Sequence, residues 1–86
     1  MAKSTLKIVR TVADLRAQAE SVRTAELDRF AARLADLDPK ERVAVEALTR
    51  GIVNKLLHEP TVRLKESPGT PKADRLADAL RTLFGL

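Results

Sequence analysis

The chain contains no cysteine, tryptophan or tyrosine, and its only aromatic residues are Phe30 and Phe84. The absence of cysteine excludes a disulfide and a thiolate metal site. A single histidine, His58, leaves too few ligands for a structural zinc. No apolar run approaches the ~20 residues of a membrane span, and the basic N-terminus is not followed by an apolar stretch of signal-peptide length. A cytoplasmic setting is therefore expected. At 86 residues there is room for one small domain, whose core must be built from Leu, Val, Ile and Ala. Such a core is thin, and domains of this size lean on disulfides, metals or oligomerisation. With the first two excluded, oligomerisation remains.

Charge is plentiful but not segregated. The formal net charge is +4 and the isoelectric point about 10.0. The basic excess lies mainly in Lys3, Lys7, Arg10 and Arg16, while elsewhere acids and bases alternate as on a solvated helix face. A small basic nucleic-acid-binding helical protein is thus a rival reading with weak support. It would show steeply salt-dependent binding to tRNA or DNA.

Apolar spacing predicts helices throughout, and no stretch alternates with period two. The first helix is predicted from Ser4 or Thr5 to Leu37. Ile8, Val12, Leu15, Ala19 and Val22 form one stripe; Leu27, Phe30, Leu34 and Leu37 form a second. The five-residue step from Val22 to Leu27 rotates the second stripe by roughly 60°, which implies two different neighbours. The N-terminal half, poorer in large apolar residues, is expected to be the less buried. A helix of this length would be ~50 Å long and would overhang its own fold.

Asp38-Pro39-Lys40-Glu41 reads as a capping box with proline at the first helical position. The second helix is predicted from Pro39 to about His58, with apolar residues on more than one side, as in a central helix. Gly51 within it suggests close approach by another backbone. Glu59-Pro60 should end it, Pro60 opening a short helix to about Glu66. Ser67-Pro68-Gly69-Thr70-Pro71 is a loop. A last helix starts with Thr70 as cap and Pro71 as first residue, presents Leu76, Leu80, Leu83 and Phe84, and ends at Gly85.

The chemistry-bearing residues are few. Asn54, Lys55 and His58 share one side of the second helix with Gly51. His58 lacks the partners of a nucleophile–base pair and reads as a structural residue at a helix C-terminus. Lys55 has no glycine-rich phosphate loop beside it. Asn54 reads as a buried hydrogen-bonding residue at a helix or subunit contact, able to set register. No catalytic, cofactor-binding or metal-binding residue is assigned, and the chain reads as a non-catalytic module.

Taken together, the segments Val12-x-x-Leu15-Arg16, Glu26-Leu27 and Leu34-x-x-Leu37 resemble the C-terminal dimerisation domain of glutamyl-tRNA reductase. The resemblance is strongest at Ile52-Val53-Asn54-Lys55-Leu56-Leu57-His58-x-Pro60-Thr61 with Leu64-Lys65, and it closes with Leu83-Phe84-Gly85-Leu86. It covers residues 11–86 and leaves 1–10 as an unmatched extension of the first helix. It implies a homodimerisation module of an NADPH-dependent oxidoreductase that converts glutamyl-tRNA to glutamate-1-semialdehyde in tetrapyrrole (porphyrin) synthesis. The family's catalytic cysteine and NADPH-binding region are not in this chain. An excised domain or truncated gene product, inactive alone and without cofactor, is the expectation. Asn54, Lys55, His58 and Pro60 carry over as motif positions of structural character.

The resulting expectation is an all-α helical bundle with a long N-terminal helix, completed by homodimerisation. Val45, Leu48, Ile52, Leu56, Leu80, Leu83 and Phe84 are the predicted dimer interface and core. A second copy is the expected partner, with a regulatory protein as a further partner that the resemblance allows; tRNA belongs to the parent enzyme.

Overall fold

A computed structural model describes residues 2–86; Met1, part of the predicted 1–10 extension, lies outside the described residues. The described residues form four helices and no strand. These are α1 (Ala2–Arg29), the single turn α2 (Ala31–Leu34), α3 (Pro39–Lys65) and α4 (Pro71–Phe84). Neither glycine nor proline occurs before Pro39, so nothing in the backbone chemistry opposes a long first helix. It is nevertheless interrupted short of the expected Leu37. Phe30 steps off helical geometry at φ −99°, ψ 12°. Its carbonyl then accepts from both Arg33 N–H and Leu34 N–H at 3.0 Å. The break re-aims Leu34 and Leu37 toward the start of α3, and both are half-buried.

The start of α3 follows its sequence signal. Asp38 Oδ1 accepts from Glu41 N–H at 2.9 Å, and Glu41 Oε1 accepts from Asp38 N–H at 3.2 Å, a reciprocal capping box ahead of Pro39. The end of α3 does not follow. The helix runs through Pro60 to Lys65, so Pro60 neither ends it nor starts a separate one. An interior proline costs about 3 kcal/mol. Leu57, one turn before Pro60, and Leu64, one turn after, are both buried, and burying each such side chain contributes roughly 1.5–3 kcal/mol. A helix broken at Glu59 would lose one of them, so packing outweighs the local preference.

The loop after α3 turns on Gly69 at φ +81°, a conformation open to glycine. Thr70 Oγ1 then accepts from Ala73 N–H at 3.2 Å, and α4 closes on Gly85 in the left-handed region at φ +64°.

Polar contacts give the helix directions. Arg16 reaches Asn54 and Arg23 reaches Thr49, so α1 and α3 run antiparallel as a hairpin. Lys7 pairs with Asp74 and Asp78, Arg81 with Asp14, and Gln18 with the Phe84 carbonyl, so α4 runs parallel to α1. At 14 residues α4 spans about 21 Å and covers only the half of the hairpin built from the start of α1 and the end of α3. The core sits there: Ile8, Leu64, Ala73 and Ala77, with Val12 and Leu80 packed against them.

This corrects two expectations. The N-terminal half of α1 is the more buried half, with Ile8, Thr11 and Leu15 almost fully enclosed, because α4 lies on it. And α1 does not overhang alone; the whole far half of the α1–α3 hairpin projects beyond α4. The molecule measures 51 × 20 × 17 Å with a radius of gyration of 16.2 Å, against about 12 Å for a compact chain of this length.

Candidate functional site

Beyond the end of α4, the groove that α4 occupies between α1 and α3 continues uncovered. Two adjoining hollows mark it. One, of about 420 Å³, is walled by Leu15, Val22, Val53, Leu56, Pro60 and Phe84. The next, of about 380 Å³, runs on past Val22 and Ile52 to Phe30 and Val45. Ala19, Val22 and Val53 belong to both, so they form one trough with an almost wholly apolar lining.

Of the predicted interface residues, Val45, Ile52, Leu56 and Phe84 line this trough, Leu80 and Leu83 line a separate hollow between α3 and α4, and Leu48 lines neither. Leu48 is 63% exposed, Ile52 51%, Leu56 69% and Leu83 79%, and Phe84 and Leu76 are also exposed. Val45 is half-buried in the trough wall, and Leu80 packs against the chain's own core. The face that α4 turns to its own hairpin is made of Ala73 and Ala77, both buried. Leu80 packs beside them, while Leu76 and Leu83 stand more open at the α3 edge, next to Pro60 and Leu64. Contiguous apolar exposure of this kind is uncommon on a monomer.

The trough wall is stiffened by one buried polar group that spacing did not reveal. Arg23, 8% exposed, donates to Thr49 Oγ1 at 3.2 Å and to Glu20 Oε2 at 3.0 Å. The Arg23 hydrogen bond holds the Glu20 carboxyl below its ordinary value, with the Arg23 and Arg50 charges adding to it. Its only trace in the sequence is the i, i+3 spacing of Glu20 and Arg23.

The motif residues fare differently from expectation. Asn54 is exposed, not buried; its Oδ1 accepts from Arg16 at 3.1 Å, so it joins α1 to α3 at the surface. His58 is not at a helix end, because α3 continues past it, and the C-terminal capping role falls away. His58 and Lys55 are exposed and have no side-chain partner among the described residues. No atom lies within 4 Å of where a Cβ on Gly51 would sit, so no backbone of this chain approaches it. Among the described residues no group of three or more His, Asp or Glu is placed to hold a metal, and no helix is long and apolar enough to cross a membrane.

A helical hairpin half-covered by its own third helix, with apolar side chains left open on the other half, defines an all-α association module. Residues 2–86 match the family model described as the glutamyl-tRNAGlu reductase dimerisation domain, and the chain belongs to that family. It is 49% identical over 80 residues to the glutamyl-tRNA reductase of Frankia alni, covering 93% of this chain and 17% of that protein. To the glutamyl-tRNA reductase of Geobacter sulfurreducens it is 46% identical over 83 residues, 96% of this chain and 19% of the relative. To glutamyl-tRNA reductase 2 of Koribacter versatilis it is 39% identical over 82 residues, 95% and 19%. The chain thus spans less than a fifth of the length of these relatives. No solved structure matches it.

Proposed function

We propose that this chain joins two subunits of a glutamyl-tRNA reductase by self-association through its open apolar surface. The observation that carries this is the trough beyond α4, where Ile52 and Leu56 stand in the open beside Phe84, with Leu48 and Leu83 exposed outside it. Val45 supports them from the wall. Leu80 belongs to the intrachain core and contributes by holding α4 in place. The dimerisation-domain family supports the same reading.

The reaction implied by the relatives' name, with NADPH as reductant and glutamyl-tRNA as substrate, belongs to the parent protein. The residues here do not fit a dinucleotide. The trough is apolar, and the three glycines stand singly at a helix interior, a turn and a helix end, so no glycine-rich phosphate cradle forms. Joining subunits is the contribution proposed for this domain. Sedimentation equilibrium at micromolar concentration tests the reading: a species of twice 9.5 kDa is expected, and a folded monomer would overturn it.

A further inference from the structure

We infer that the hairpin tip carries, on the face opposite the trough, a binding site for a free amino acid with an apolar side chain. The site does not depend on self-association.

Its place is a hollow of about 270 Å³ between α1 and α3. The hollow shares Arg23, Leu27, Leu34 and Val45 with the trough. Along α1 it then takes Thr24 and Asp28 where the trough takes Val22 and Glu26. Each of these pairs is two positions apart, a rotation of about 200° on an α-helix. The two recesses therefore open on opposite faces of the hairpin and share only their floor.

The hollow holds charges of both signs that the fold leaves unused. Arg23 is 8% exposed. Its Nε and one N–H on each Nη are bonded to Glu20 and Thr49. A guanidinium has five N–H groups, so one on each Nη is left over. Arg42 stands at the same hollow, exposed and without a partner among the described residues. Asp28 is likewise exposed and unpartnered, and Glu46 acts on Arg23 only through its charge. Thr24 adds nothing, since its hydroxyl is bonded to the Glu20 and Ser21 carbonyls.

These residues set three requirements. Two guanidiniums match a carboxylate. Two carboxylates match an ammonium. The shared floor of Leu27, Leu34 and Val45 matches a short apolar chain, and the break at Phe30 is what brings Leu34 to it. The hollow is smaller than the ~300–1,000 Å³ of sites for drug-sized ligands, so the ligand is small. An α-amino acid with an apolar side chain meets all three requirements. An inorganic anion or a simple amine leaves one pair of charges unmatched, which lowers affinity.

The probe is L-leucine, titrated into the chain and followed by the amide NMR shifts of residues 23–46. Saturable shifts are expected there, with a dissociation constant of roughly 1 mM for so small a ligand. Isocaproate lacks the ammonium and isoamylamine lacks the carboxylate. Each is expected to bind at least ~tenfold more weakly, the loss of one charged hydrogen-bonding group. Arg42→Gln and Asp28→Asn change exposed, unpartnered positions, and should keep the helical circular dichroism while weakening leucine by a similar factor. No saturable shift up to the solubility of leucine would overturn the inference. So would equal binding of either analogue, which reduces the contact to an apolar one, or unchanged binding by both variants, which places leucine elsewhere. The analogues are compared on the wild-type chain, so that comparison holds whether or not a variant folds. Each of these outcomes leaves self-association standing.

Discussion

Arg23 on α1 and Thr49 on α3 are joined by a 3.2 Å hydrogen bond in the half of the hairpin that α4 leaves bare. There the two helices have little apolar cover, so a charged group held by its partners does what the leucines do at the other end. Thr49→Val keeps the shape and removes the acceptor. It is expected to cost about 1 kcal/mol, the net worth of one hydrogen bond, as a lower thermal midpoint with unchanged helix content. No change in the midpoint would mean that the clasp is incidental.

Leu64 and Ile52 should respond oppositely. Leu64 is 1% exposed, and Leu64→Ala is expected to cost about 2–5 kcal/mol of folding stability by opening a cavity. Ile52 is open in the single chain, so Ile52→Asp should leave the helical circular dichroism of the subunit intact and abolish its dimer in sedimentation. If Ile52→Asp leaves the dimer whole, the trough is not the interface.

Pro60 and Gly51 are the two interior helix residues that sequence alone would replace. Pro60→Ala restores a donor for the Leu56 carbonyl in a helix that is already continuous, and is expected to stabilise by up to ~3 kcal/mol. Gly51→Ala meets nothing within 4 Å and is expected to add about 1 kcal/mol. Denaturant titrations measure both. A loss in the Gly51 variant confined to the dimer would reveal a partner backbone against it.

Acid should destabilise the fold. Asp38, held by the Glu41 N–H, and Glu20, held by Arg23, both have carboxyl pKa values below the ordinary range. The unfolded chain therefore binds protons more readily. Their contribution is complete above about pH 4.5 and is lost as pH falls through the ordinary carboxylate range toward the lower folded values. Lys7, raised chiefly by its hydrogen bond to Asp78, acts at the other limit: its contribution holds below about pH 10.4 and fades above it. Thermal midpoints across this range check the sign, and Asp38→Ala should flatten the acid limb.

Local signals were legible wherever a single side chain settles a backbone question. The box of Asp38 and Glu41, the Thr70 cap and the Gly85 terminus all stand where the residues placed them, since each satisfies backbone groups within a few positions of itself. The break at Phe30 and the continuity through Pro60 were not legible. Both are decided by what Leu34, Leu57 and Leu64 touch, and those neighbours lie on other helices. An Asn within an apolar helix reads as a buried register-setting residue, but Asn54 makes its helix-to-helix hydrogen bond with Arg16 at the open surface.

The sequence by itself determined the helical class, the caps, the family and the need for a partner, because periodicity, capping chemistry and a core too thin for one chain are all properties of the residues in order. Only the tertiary structure decided which apolar side chains are left open. The position of α4 over one half of the hairpin, with Ala73, Ala77 and Leu80 inward and Leu83 open, depends on how three helices share space. The apolar pattern of each helix is the same whether its leucines face its own chain or another.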